Sequence, residues 1–125
     1  MKKILVTGAS GFIGSNLIKE LTKLGYTARG VFRKNNVNFK NICEADCVFV
    51  DNINSNTDWT DALVDIDIVI HCAGISNVVN ENKSQEILKY YTLNVEGTKN
   101  LTEQAVKNGI KRIIFLSTVK VHGEK

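Results

Sequence analysis

Residues 3–14, Lys3-Ile4-Leu5-Val6-Thr7-Gly8-Ala9-Ser10-Gly11-Phe12-Ile13-Gly14, decide the fold. An apolar strand pattern runs into three glycines spaced three apart, and an amphipathic helix pattern (Phe12, Ile13, Leu17, Ile18, Leu21, Leu24) begins at once. A phosphate-binding strand–turn–helix requires that order. Gly8 supplies a turn residue free of Cβ restrictions. Gly11 lets a diphosphate approach the backbone, and Gly14 lets the helix pack closely on the strand. The helix N-terminus then turns unpaired N–H groups and a partial positive charge toward the anion. The ligand implied is a dinucleotide. A glycine turn that serves only helix–strand packing is the competing reading of the spacing.

The rest of the chain alternates strand and helix signals. Strands are expected at 2–7, 27–32, 47–50, 67–72 and 111–116. Helices are expected at 12–24, closed by Gly25, at 58–63, and from about 84 to 108, closed by Gly109. Residues 34–45 read as irregular. Short apolar strands joined by helices predict an α/β fold, a doubly wound parallel sheet of the NAD(P)-binding Rossmann type. Right-handed crossovers give the order 3-2-1-4-5. Ligand chemistry in such a sheet gathers at the strand C-terminal ends. Those ends are Thr7-Gly8, Arg33, Asp51-Asn52, His71-Cys72-Ala73-Gly74 and Ser117-Thr118, all small or polar.

At 125 residues the chain is one domain's worth. A net charge of +3, with its lysines and arginines scattered, excludes a nucleic-acid surface and reads as a solvated exterior. Cys43, Cys47 and Cys72 form no CxxC pair and leave an odd count, which fits a reduced, cytoplasmic protein with Cys72 as a buried filler. The apolar run after Met1-Lys2-Lys3 is too short for an export signal, and no stretch approaches membrane-spanning length. His71, ending an apolar strand with no second ligand nearby, reads as a satisfied core histidine, and Trp59 as a packing residue.

Four segments, TGASGFIG (Thr7–Gly14), HCAG (His71–Gly74), NVEGTKNL (Asn94–Leu101) and FLSTVKVHGE (Phe115–Glu124), together resemble the extended short-chain dehydrogenase/reductases, the NAD-dependent epimerase/dehydratase family. The last of them is most similar to a bacterial UDP-glucose 4-epimerase-like subgroup of surface-polysaccharide synthesis. The resemblance implies NAD as cofactor and a nucleotide-sugar substrate, a UDP-sugar first. It also implies a homodimer for the parent enzyme, while the charge and the apolar-run lengths above are what argue against a nucleic-acid partner and membrane insertion. By the same resemblance Gly8, Gly11, Phe12, Ile13 and Gly14 contact the cofactor diphosphate. Ala73 and Gly74 line the path to the nicotinamide ribose, and Asn94 fixes the nearby loops. Thr118, with Ser117 as the next candidate, occupies the place of the family's catalytic Ser/Thr.

The chain departs from the family pattern at three points. The family's base is the tyrosine of a Tyr-x-x-x-Lys motif, and none occurs here: Tyr90 and Tyr91 are followed four positions on by Asn94 and Val95. The 125 residues are therefore expected to be an inactive N-terminal fragment, truncated before the substrate domain. The end of the second strand carries Arg33, 19 residues past Gly14, where NAD-selective proteins place an acid. Arg33 leaves NADP open, or is a solvent-facing loop charge. Third, the family's Asp-Ile adenine pair corresponds here to Asn52-Ile53, with Asp51 before it; either Asp51 or Asn52 can accept from the adenine amino group. The leading function is a nucleotide-sugar 4-epimerase. An NADP-dependent sugar or carbonyl reductase of the same family and a non-catalytic NAD(P) sensor are the alternatives.

Overall fold

The computed structural model describes residues 2–33, 46–73, 88 and 91–116. Five strands, β1 (Lys3–Thr7), β2 (Thr27–Arg33), β3 (Asp46–Val50), β4 (Ile68–His71) and β5 (Arg112–Phe115), form one sheet in the order β3-β2-β1-β4-β5. Every neighbouring pair is parallel, as the alternation of strand and helix signals predicts. The chain builds outward from β1 to β3, returns, and adds β4 and β5 on the other side. Successive strands thus leave the same edge of the sheet at its C-terminal end.

The period-two alternation of each strand divides the core into two layers. Ile4, Val6, Ala28 and Ile70 face helix α1 (Phe12–Lys23), which covers them with Leu17, Ile18 and Leu21. Leu5, Val31, Val50 and Val69 face the other way. There they meet Trp59, Leu63 and Ile66 from the 53–66 segment, and Leu101 and Ala105 from α2 (Thr98–Lys107). Seven residues at π-helical pitch, Tyr91–Gly97, lead directly into α2. Both helices close as the sequence predicts. Gly25 and Gly109 adopt positive φ, and the N–H groups that follow return to the last helical turn, Tyr26 to the Leu21 carbonyl and Ile110 to the Ala105 carbonyl, both at 3.0 Å.

One expected element does not form. Residues 58–63 were to be a short helix, but the segment is a series of turns, with one helix-like bond from the Leu63 N–H to the Trp59 carbonyl. Side chains replace the missing helical bonds. Asp58 Oδ1 accepts from the Thr60 N–H and hydroxyl at the start, which also holds the Asp58 carboxyl below its ordinary pKa. At the end, Arg29 Nη1 donates to the Ala62 and Val64 carbonyls at 2.7 and 2.9 Å. The guanidinium satisfies the carbonyls that a further turn of helix would have used. Its Nε donates to Asp46 Oδ2 at 3.0 Å, and Lys3 Nζ lies 3.3 Å from the same oxygen. Arg29 is only 8% exposed.

Trp59 is fully buried in the core, as expected of a packing residue, and its indole Nε1 has no hydrogen-bond partner among the described residues. Cys72 is a free thiol, whereas Cys47 is disulfide-bonded to a residue outside those described. The expectation of reduced cysteines is thereby corrected at Cys47: its reasoning excluded only CxxC pairing, and sulfurs at other separations can still meet. No helix among the described residues is long and apolar enough to cross a membrane.

Candidate functional site

Four strand ends converge on one cavity of about 800 Å³ at the C-terminal edge of the sheet. The turn after β1 contributes Gly8, Ser10 and Gly11, and the end of β2 contributes Val31, Phe32 and Arg33. Val50, Asn52, Ile53 and Asn54 come from the end of β3, and Cys72 and Ala73 from the end of β4. Leu88, Thr92 and Leu93 close the remaining side. Open parallel sheets bind ligands in this crevice. A smaller polar groove, about 510 Å³, lies between residues 55–60 and α2. Its amides are spent internally: Asn100 and Gln104 both donate to the Thr57 carbonyl, and Gln104 Oε1 accepts the Trp59 N–H.

The three glycines that open the site are bare for two different reasons. Gly8 has φ +66°, and a Cβ there would lie 2.8 Å from the Ala73 nitrogen. A Cβ on Gly14 would overlap the Gly8 carbonyl. Both positions are therefore closed to larger residues by the protein itself. Gly11 differs, with extended backbone (φ −79°, ψ 172°) and only the Gly8 oxygen, at 3.4 Å, near a Cβ placed there. Nothing among the described residues requires glycine at 11. What a side chain there would enter is the cavity.

Gly11 is also the N-cap of α1. It offers no side-chain hydrogen bond to the first turn, and that turn carries no acid. The N–H groups of Phe12, Ile13 and Gly14 thus start a helix with no side-chain cap, beside a cavity whose near wall is backbone. Such an end favours anions.

The opposite wall is fixed by a buried polar chain. Thr7 Oγ1 accepts the Cys72 and Ala73 N–H groups at 2.9 and 3.0 Å, which uses both of its lone pairs. Its own hydrogen is therefore donated to His71 Nδ1, 2.7 Å away. That assignment leaves the imidazole proton on Nε2, which donates to Thr98 Oγ1 at 3.1 Å. The chain links the ends of β1 and β4 to the start of α2 and holds Ala73 against Gly8. Burial lowers the His71 pKa from 6.5 to about 4, so the ring is neutral near pH 7, as the tautomer requires. His71 is the satisfied core histidine that the sequence suggests. Burial also pushes the Cys72 thiol up, away from thiolate character.

Of the sequence-derived cofactor residues, Gly8, Gly11, Arg33, Asn52, Ile53 and Ala73 line the cavity. Phe12 and Ile13 open α1 with exposed side chains, and Gly14 packs beneath the turn. Asp51 and Asn94 are not among the lining residues. Gly74, Ser117 and Thr118 lie outside the described residues. Sequence reasoning missed Asn54, Thr92 and Leu93. Asn54 sits in a turn, its N–H donating to Thr57 Oγ1 and its Oδ1 accepting the Asn56 N–H, and nothing in its local pattern separates it from other loop asparagines. Thr92 and Leu93 lie in the π-pitched segment, where a 3.6-residue periodicity assigns faces wrongly.

Comparison with known proteins agrees with this geometry. The chain is 37% identical over 124 residues to a UDP-glucose 4-epimerase of Vibrio cholerae, an alignment that covers 98% of this chain and 37% of that protein. Among solved structures it is similar to MoeE5 in complex with UDP-glucose and NAD (TM-score 0.75, 28% identity, 98% of this chain and 38% of that one). It is likewise similar to UDP-glucose 4-epimerase from Bifidobacterium longum in complex with NAD+ and UDP (TM-score 0.75, 29% identity, 98% and 38%). The chain thus spans less than two fifths of the length of these relatives. Residues 4–125 match a family model, and the chain belongs to that family: the NAD dependent epimerase/dehydratase family.

Proposed function

We propose that this chain is the cofactor-binding part of an NAD-dependent nucleotide-sugar epimerase, with a UDP-sugar 4-epimerase as its specific form. One observation carries the dinucleotide reading. Gly11 is bare where the protein does not need it to be, at an uncapped helix start facing a cavity large enough for such a ligand. The residues present fit NAD: backbone of 8–11 and the first N–H groups of α1 for the diphosphate, and Asn52 and Ile53 for the adenine. Ala73, held by Thr7, serves for the path toward the nicotinamide. NAD bound there supplies reversible hydride acceptance, the chemistry needed to invert a sugar carbon through a ketone.

The chain's own contributions are binding and placement. The Thr7–His71–Thr98 chain fixes the wall at Ala73, and the neutral His71 does not exchange protons with a substrate near pH 7. The Thr118 hydroxyl, with Ser117 as the alternative, is assigned the hydrogen bond to the reacting sugar oxygen, on the strength of the family resemblance. No Tyr-x-x-x-Lys occurs in the 125 residues, so the chain alone is expected to bind cofactor without turnover. A cytoplasmic location, a homodimeric whole enzyme and a role in surface-polysaccharide synthesis belong to the same proposal.

The test is calorimetric titration of the chain with NAD+ and NADH, alongside Gly11→Val. Saturable binding that Gly11→Val removes, with its circular dichroism spectrum intact, supports the reading. Equal affinity in the two proteins overturns it.

A further inference from the structure

Two arginines stand on the same face of β2, four residues apart, at opposite ends of the strand. Arg29 is buried and fully occupied by Asp46, Ala62 and Val64. Arg33 ends the strand, pairs in register with Val50, and lines the cavity beside Asn52 and Asn54. Its guanidinium makes no hydrogen bond or ion pair with any described residue.

Arg33 is also the single charged residue among those described as lining the cavity. Among the described residues no carboxylate lines the cavity from any of the four strand ends. The nearest acid along the chain, Asp51, leaves β3 next to Arg33's register partner, is exposed, and has an interaction of its own. Among the described residues the end of β2 is therefore cationic where a site selective for an unphosphorylated ribose carries an acid. An acid at that point accepts from the ribose hydroxyls and repels a phosphate. A planar guanidinium offers paired N–H donors that match phosphate oxygens.

We infer that Arg33 makes this pocket admit the 2′-phosphorylated dinucleotide, NADP, at least as well as NAD. The inference rests on the dinucleotide reading above and concerns only the adenosine end of that site. Arg33 is exposed and makes no hydrogen bond or ion pair among the described residues, so replacing it removes none of the polar contacts that hold them.

The experiment is calorimetric titration of the 125-residue chain with NAD+ and with NADP+, in the wild type, Arg33→Gln and Arg33→Asp. NADP+ is expected to bind the wild type no more weakly than NAD+. Arg33→Asp is expected to lower NADP+ affinity relative to NAD+ by roughly 10- to 100-fold, the range of a charge-assisted hydrogen bond lost to a repelling charge. Raising the salt should weaken NADP+ more than NAD+ in the wild type only. Two results overturn the inference while leaving the dinucleotide site intact. One is NAD+ binding with NADP+ tenfold or more weaker. The other is Arg33 variants that lower both affinities equally, which would make the guanidinium a stacking surface for adenine. If neither dinucleotide binds the wild type, the dinucleotide reading fails and this inference fails with it.

Discussion

Acid should unfold this protein through His71 before most other groups contribute. In the native state the ring is neutral, with Nδ1 accepting from Thr7 and Nε2 donating to Thr98, and burial lowers its pKa from 6.5 to about 4. In the unfolded chain the same ring takes up a proton near its ordinary pKa. Between pH 6.5 and 4 the unfolded state therefore binds more protons, and stability falls as the pH is lowered through that window. A difference of about 2.5 units at roughly 1.4 kcal/mol per unit corresponds to about 3 kcal/mol, with the full contribution present above pH 6.5. Against a domain stability of order 5–15 kcal/mol that loss is easily measured. The assay is urea denaturation at half-unit steps from pH 7.5 to 4, for the wild type and for His71→Asn, which cannot titrate. The carboxylates that titrate near pH 4 contribute to both proteins, so the difference in slope isolates the imidazole. The wild type should lose about 3 kcal/mol more than the variant over the window. Parallel curves would refute the reasoning.

Three other substitutions or conditions probe the remaining features. Arg29→Met should cost about 2–3 kcal/mol in urea denaturation, because it strands the Ala62 and Val64 carbonyls and leaves Asp46 with Lys3 alone; an unchanged midpoint would contradict this. Gly14→Ala should destabilise the fold by about 3 kcal/mol or more through overlap with the Gly8 carbonyl, whereas Gly11→Ala should leave the thermal midpoint nearly unchanged and weaken NAD+ binding. Equal midpoint losses in the two would show that Gly11 is also a packing glycine. Leu88, Tyr91 and Val95, all exposed and spaced three and four apart, should drive concentration-dependent self-association, seen by light scattering and reduced in Val95→Glu. A clean monomer at millimolar concentration would count against it.

The sheet was legible because its signals are local. Each strand is a short apolar run, each helix ends at a glycine, and the handedness of crossovers does the rest. The order β3-β2-β1-β4-β5 and most boundaries follow to within a residue or so. The helix expected at 58–63 failed because its competitor is distant in sequence. Arg29, about 30 residues earlier, takes the carbonyls that would have continued it. No window of local sequence contains that information. The glycine cradle was legible as a motif, but the separation of Gly11 from Gly8 and Gly14 was not. It depends on which atoms lie where a Cβ would go, and those belong partly to Ala73, just past the end of β4.

The buried chain from Thr7 to Thr98 ties stability and binding to one proton. Protonating Nδ1 of His71 turns an acceptor into a donor aimed at Thr7 Oγ1. That oxygen already receives the Cys72 and Ala73 N–H groups, so its own hydrogen loses its acceptor and a third donor arrives with no lone pair left. The least costly relief is for the backbone at Cys72 and Ala73 to withdraw, because those residues lie beyond the end of β4 and are not held by its ladder. They are also the residues that line the cavity opposite Gly8 and Gly11. Protonation of the native ring, which sets in only as the pH nears 4, therefore acts first at the ligand wall. NAD+ affinity measured by calorimetry should fall there while the circular dichroism spectrum is still native, and loss of both signals together would contradict this.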